Sequence, residues 1–131
     1  MGIISKDTRK ITLYYHSATS LGKQTYAYVI SSKKHVLAID IAKTVVTGTQ
    51  WVELADGLGM EIADLVNKDH SDFKTKFGKG NLKLGEDDWL KILKNNSELL
   101  ICPIVIIGGK FIPIKTPSRF VGLPELDSSG I

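Results

Sequence analysis

The first dense run of apolar positions, Ile11-Thr12-Leu13-Tyr14-Tyr15, is built of β-branched and aromatic residues and predicts a strand. Ser17, Thr19 and Ser20 follow it, and each carries a side-chain oxygen able to cap the N–H groups of a helix start. A helix is predicted over about 20–31, with Lys33-Lys34 favouring its C-terminal end through the macrodipole. From His35 to Ile41 the pattern turns strand-like again, with Val36, Leu37, Ile39 and Ile41. Trp51, Leu54, Ala55 and Leu58 then recur at i, i+3, i+4 and i+7, which is one face of a short helix over 50–58. Gly57 and Gly59 weaken its end. Ile62 and Leu65 predict a helical turn or two over 61–66.

Residues 67–85 are polar and rich in Lys, Asp and Gly, and read mostly as an exposed loop anchored by Phe73 and Phe77. Glu86-Asp87-Asp88 puts negative charge where a helix start favours it, and that helix runs through Trp89, Leu90, Ile92 and Leu93 to Asn95. Ser97 can cap one further turn through Leu100. Pro103 to Ile107 predicts a buried strand, Gly108-Gly109 a two-residue hairpin turn, and Lys110 to Ile114 the return strand, with Pro113 suited to an edge or a strand end. Thr116 as cap and Pro117 at the first position open a last helix. Residues 1–9 and 124–131 read as a leader and a polar tail. The order is β-α-β-α-α-α-β-β-α, without internal repeats. It predicts an α/β, thioredoxin-like fold: a four-stranded mixed sheet flanked by helices on both faces.

Composition narrows the function classes. At 131 residues the chain has the size of one domain, expected to span 1–131 with its core over about 10–122. Seventeen basic against fourteen acidic residues leave a net charge of +3. The lysines are scattered and read as a solvated surface, whereas a nucleic-acid binder concentrates them in a stripe. The loop around Lys68, Lys74, Lys76, Lys79 and Lys83, with Phe73 and Phe77, has a basic-aromatic mixture that can contact nucleic acid. Solvation is its commoner role, so no direct nucleic-acid partner is expected. Trp51 and Trp89 read as core. Cys102 is the only cysteine, so no intrachain disulfide forms and no oxidising compartment is required. Near the N-terminus the longest apolar run is Ile3-Ile4, against the roughly 7–15 residues of a signal peptide. No stretch approaches the ~20 residues of a membrane span. A cytoplasmic protein without a membrane partner is expected.

Three segments carry a resemblance. Ile11-Thr12-Leu13-Tyr14, with the helix opening at Thr19, resembles the start of the glutaredoxin-linked, ArsC-type arsenate reductases and of the related Spx transcription regulators. Leu100-Ile101-Cys102-Pro103-Ile104-Val105-Ile106 resembles that family's Arg-Pro-Ile-Val strand, and Thr116-Pro117-Ser118 resembles the Arg-Pro-Ser that opens its last helix. The resemblance covers roughly residues 10–122. It implies the thioredoxin-like (glutaredoxin/ArsC-type) fold with a helical insertion, and a cis bond before Pro103. It also implies where the catalytic set belongs. The nucleophilic cysteine falls on Thr19 and the second cysteine of the Spx Cys-x-x-Cys pair on Gly22. The three oxyanion-holding arginines fall on Cys102, on Thr116 and near Val66-Asn67.

The chemistry that remains is limited. A threonine hydroxyl is too weak an acid to replace a thiolate and needs a placed general base; His16 is the only histidine near it in sequence. Thr19 or Ser20 as a simple helix cap is the plainer role. In this fold Cys102 lies beside the first helix start, so it is either a thiol activated there, with Lys23 as the nearby cation, or a small buried filler. Ser17, Thr19, Ser20 and Lys23 form a candidate anion site at the free N–H groups of the helix start. No metal site and no required cofactor are indicated; glutathione is the candidate small ligand. A scaffold without its catalytic set is expected to work by binding a protein partner. The alternatives are a thiol oxidoreductase using Cys102 alone and a small-anion or glutathione binder.

Overall fold

The computed structural model describes residues 11–32, 35–77 and 84–120. Strand β1 (Ile11–Tyr15) is buried along its whole length, as its apolar composition requires. Helix α1 (Ser20–Ser31) returns the chain so that β2 (Val36–Asp40) lies parallel to β1, with Ile11 opposite Val36 and Tyr15 opposite Asp40. Parallel neighbours need such a crossover. Strands β3 (Ile104–Ile107) and β4 (Lys110–Pro113) form the predicted hairpin. Gly108 and Gly109 take φ of +55° and +85°, which side chains resist and glycine accepts. β3 pairs antiparallel with β1, and the sheet order is β2-β1-β3-β4, a mixed four-stranded sheet.

The alternation of β1 and β3 side chains divides the core in two. Leu13, Tyr15, Val105 and Ile107 pack on one face against Val29 of α1, Ile114 and Phe120. Tyr14, Ile104 and Ile106 pack on the other against α2 (Gly48–Leu58) and α4 (Glu86–Asn95), whose Trp51, Leu54, Trp89 and Leu93 are buried as predicted. Thr47 caps α2 reciprocally with Gln50. The turn expected over 61–66 is a 3-10 turn, Ile62–Leu65, and the one expected after α4 is another, Ser97–Leu99.

Three expectations need correction. Within the stretch expected to be mostly loop, residues 71–77 form a helix, α3 (Ser71–Phe77). Phe73 and Phe77 sit one turn apart with rings 5.1 Å from each other, and Phe73 stacks on Trp89 at 6.1 Å. Asp72 in its first turn and Lys74 and Lys76 in its last suit the dipole. No peptide bond among the described residues is cis, so the Cys102–Pro103 bond is trans, the intrinsically favoured isomer even before proline. The last helix is, within the described residues, a 3-10 turn over Pro117–Phe120. The leader over 1–9, the tail over 124–131, Lys33-Lys34 and the lysines at 79 and 83 lie outside the described residues.

Candidate functional site

At the N-terminus of α1 a cleft of about 500 Å³ opens between three segments. The turn after β1 supplies His16, Thr19 and Ser20; the chain entering α3 supplies Asn67, His70 and Asp72; the chain entering β3 supplies Glu98, Ile101, Cys102 and Pro103. The last two segments are pinned together by backbone hydrogen bonds, Asn67 N–H to Leu99 O and Ile101 N–H to Leu65 O, both 2.7 Å.

Thr19 is the N-cap of α1. Its hydroxyl accepts from the Gly22 N–H at 3.0 Å and donates to the His16 carbonyl oxygen at 3.0 Å. Its lone proton is therefore directed at a carbonyl. The His16 ring faces elsewhere, its Nδ1 accepting from the Ala18 N–H at 3.1 Å, so it holds a proton on Nε2 when neutral. The structure gives no Thr19–His16 acid-base pair. His70 is arranged likewise, its Nδ1 accepting from the Asp72 N–H at 3.0 Å. Gly22 is crowded: a Cβ there would overlap the His16 carbonyl and stand 2.7 Å from the Thr19 hydroxyl oxygen.

The anion set predicted from sequence is not assembled. Ser17 turns its N–H to Asp40 Oδ1 at 3.1 Å, the oxygen that also accepts from Ala42 N–H at 3.0 Å. Burial pushes the Asp40 carboxyl up, but these bonds, one from the Ser17 side chain and the charge of Lys43 outweigh it and hold it below its ordinary value. Lys23 is exposed and does not line the cleft; only Thr19 and Ser20 of the set do. The charged lining residues among those described are Asp72 and Glu98, with no lysine or arginine. Lys76 hydrogen-bonds Asn96 and stands 4.0 Å from Glu98.

Cys102 does lie at the cleft, as its fold position implied, but it is 3% exposed. Burial pushes its thiol up, against the smaller downward pull of Lys115 and a hydrogen bond with the Ile114 backbone. The cation that acts on it is thus Lys115, from the far side of the hairpin, and not Lys23. The resemblance had pointed near Asn67, and sequence reasoning missed His70, Asp72 and Glu98. Among the described residues no group of three or more His, Cys, Asp or Glu is placed to hold a metal ion.

No protein-family profile and no curated protein matches the chain. Solved structures do. A Yersinia pestis protein provisionally named an arsenate reductase matches with a TM-score of 0.73 at 22% identity, over 86% of this chain and 99% of that one. An arsenate reductase from Vibrio cholerae matches with a TM-score of 0.72 at 17% identity, over 88% and 98%. The chain has the arsenate reductase fold. An arsenate reductase (ArsC) related protein from Brucella melitensis shares it more loosely, with a TM-score of 0.62 at 11% identity over 93% and 96%. At these identities the likeness is one of architecture. Within the arsenate reductase fold this chain's cleft holds a helix-capping threonine, a buried thiol and two carboxylates. No helix among the described residues is long and apolar enough to cross a membrane.

Proposed function

We propose that this chain is a non-catalytic protein of the ArsC/Spx-like group, a cytoplasmic binding or regulatory module that acts on a protein partner. The observation that carries the reading is the state of Thr19, which stands where the resemblance puts the nucleophile. Its hydroxyl is committed in both directions to the backbone of His16 and Gly22, and no side-chain base among the described residues is hydrogen-bonded to it. The cleft's electrostatics support the same reading. Cations favour an oxyanion substrate and carboxylates oppose it, and the charged groups lining this cleft among the described residues are Asp72 and Glu98. Cys102, the remaining thiol, is buried and held protonated, the opposite of an activated nucleophile.

The test is arsenate reduction coupled to glutathione and glutaredoxin, run on the native protein beside Cys102→Ser. Neither form is expected to turn over above the protein-free blank. Turnover by the native protein that disappears in Cys102→Ser would replace this reading with a single-cysteine oxidoreductase.

A further inference from the structure

A second concavity, of about 400 Å³, opens between α2, the Ile62–Leu65 turn and the start of α4, and shares no lining residue with the cleft. Its floor is apolar: Ile62 and Trp89 are buried there, and Val52 and Met60 are half-buried at its walls. Asp56, Glu61 and Glu86 also line it, all three exposed, and no lysine, arginine or histidine among the described residues does. None of these carboxylates makes an ion pair among the described residues.

The fold's own stability does not account for all of this charge. Glu86 occupies the first turn of α4, where the dipole welcomes it. Asp56 sits near the C-terminal end of α2, where the dipole opposes a negative charge. One cation stands beside the lining without being part of it. Lys68 donates to the Ala63 carbonyl at 2.7 Å and stands 5.0 Å from the centroid of the Trp89 ring. Among the described residues, one ammonium beside three carboxylates makes the groove acidic, on a chain whose net charge is positive.

We propose that this groove docks a segment of a partner protein that presents an apolar side chain flanked by lysine or arginine. An apolar anchor in a pocket with complementary charge at its rim is the usual division between binding energy and specificity at protein interfaces. The proposal rests on the binding-module reading and supplies the chemistry of the partner.

The experiment uses the whole chain and two fluorescein-labelled dodecapeptides, one alternating Leu and Lys, the other alternating Leu and Glu, followed by fluorescence anisotropy. The Leu–Lys peptide is expected to bind and to weaken as salt rises, and the Leu–Glu peptide not to bind. Asp56→Asn, Glu61→Gln and Glu86→Gln combined, all at exposed positions, should weaken binding by about tenfold, the order expected of three rim charges. Met60→Asp should weaken it independently. Equal binding of the two peptides, or binding unmoved by the triple variant, overturns the proposal. So does loss of binding through Asp72→Asn and Glu98→Gln, which would move the site to the cleft and leave the binding-module reading standing. The arsenate assay judges that reading separately, so the two failures are told apart.

Discussion

Thr19 and His16 close a ring at the start of α1: the threonine hydroxyl and the threonine N–H both reach the histidine carbonyl oxygen, at 3.0 and 3.2 Å. With the bond from Gly22 N–H, that hydroxyl has no free proton and is a structural group. Thr19→Ala should cost about 1 kcal/mol, the usual price of an N-cap. Thr19→Ser should keep most of the stability. Urea denaturation midpoints of the three forms check this; an unchanged midpoint for the alanine variant would contradict the cap.

Cys102 should be a slow thiol. Its pKa is raised in the folded chain, so between the unfolded value of about 8.5 and the higher folded one the native state keeps a proton that the unfolded state has lost. Its contribution to stability is therefore complete below about pH 8.5 and declines as pH rises toward the folded value. Iodoacetamide labelling followed from pH 6 to 10 should lag a free-thiol peptide throughout and accelerate on unfolding. A labelling midpoint below the peptide's would reverse the assignment.

Asp40 makes the opposite prediction at the acid end. Its folded pKa is lowered, so its contribution is present above the unfolded carboxyl value of about 3.9 and is lost as pH falls through the folded one. Asp40→Asn should flatten the decline in stability between pH 5 and 3 relative to the native chain. Parallel acid-dependence curves would show that the bonds to Ser17 and Ala42 do not favour the charged form.

The cleft should not take anions. The Ser20 and Leu21 N–H groups at the start of α1 have no hydrogen-bond partner among the described residues, which favours a negative ligand, but Asp72 and Glu98 share the cleft and Lys23 does not reach it. Titration calorimetry with millimolar phosphate, arsenate or glutathione should give no heat beyond dilution. A saturable signal that grows in Asp72→Asn would show that the helix start still acts as an anion site, held in check by that carboxylate.

Much of the fold was legible because local signals and tertiary packing agree. The apolar runs at 11–15 and 104–107, the cap before α1 and the Gly108-Gly109 turn each fix their own segment. α3 was missed because seven lysine-rich residues offer only Phe73 and Phe77 as a repeat, and Trp89, which makes them a helix face, lies in another element. The cleft was legible at His16, Thr19, Ser20, Cys102 and Pro103, and near Asn67 through the resemblance. His70, Asp72 and Glu98 flank the Val66–Leu100 bridge, a long-range pairing with no sequence signature. Lys23 failed for a geometric reason: it directly follows buried Gly22, and α1 turns its buried face through Gly22, Thr25 and Val29, leaving Lys23 on the solvent side.

The crowding at Gly22 limits the chemistry that the start of α1 can host. A Cys-x-x-Cys pair there requires side chains at 19 and 22, and the second has no room beneath the His16 carbonyl. A cysteine at 19 alone gives a thiol without a resolving partner. A side chain at 22 could enter only if the peptide after His16 moved first. The limit lies in the path of the main chain, and a change of residue type alone does not lift it.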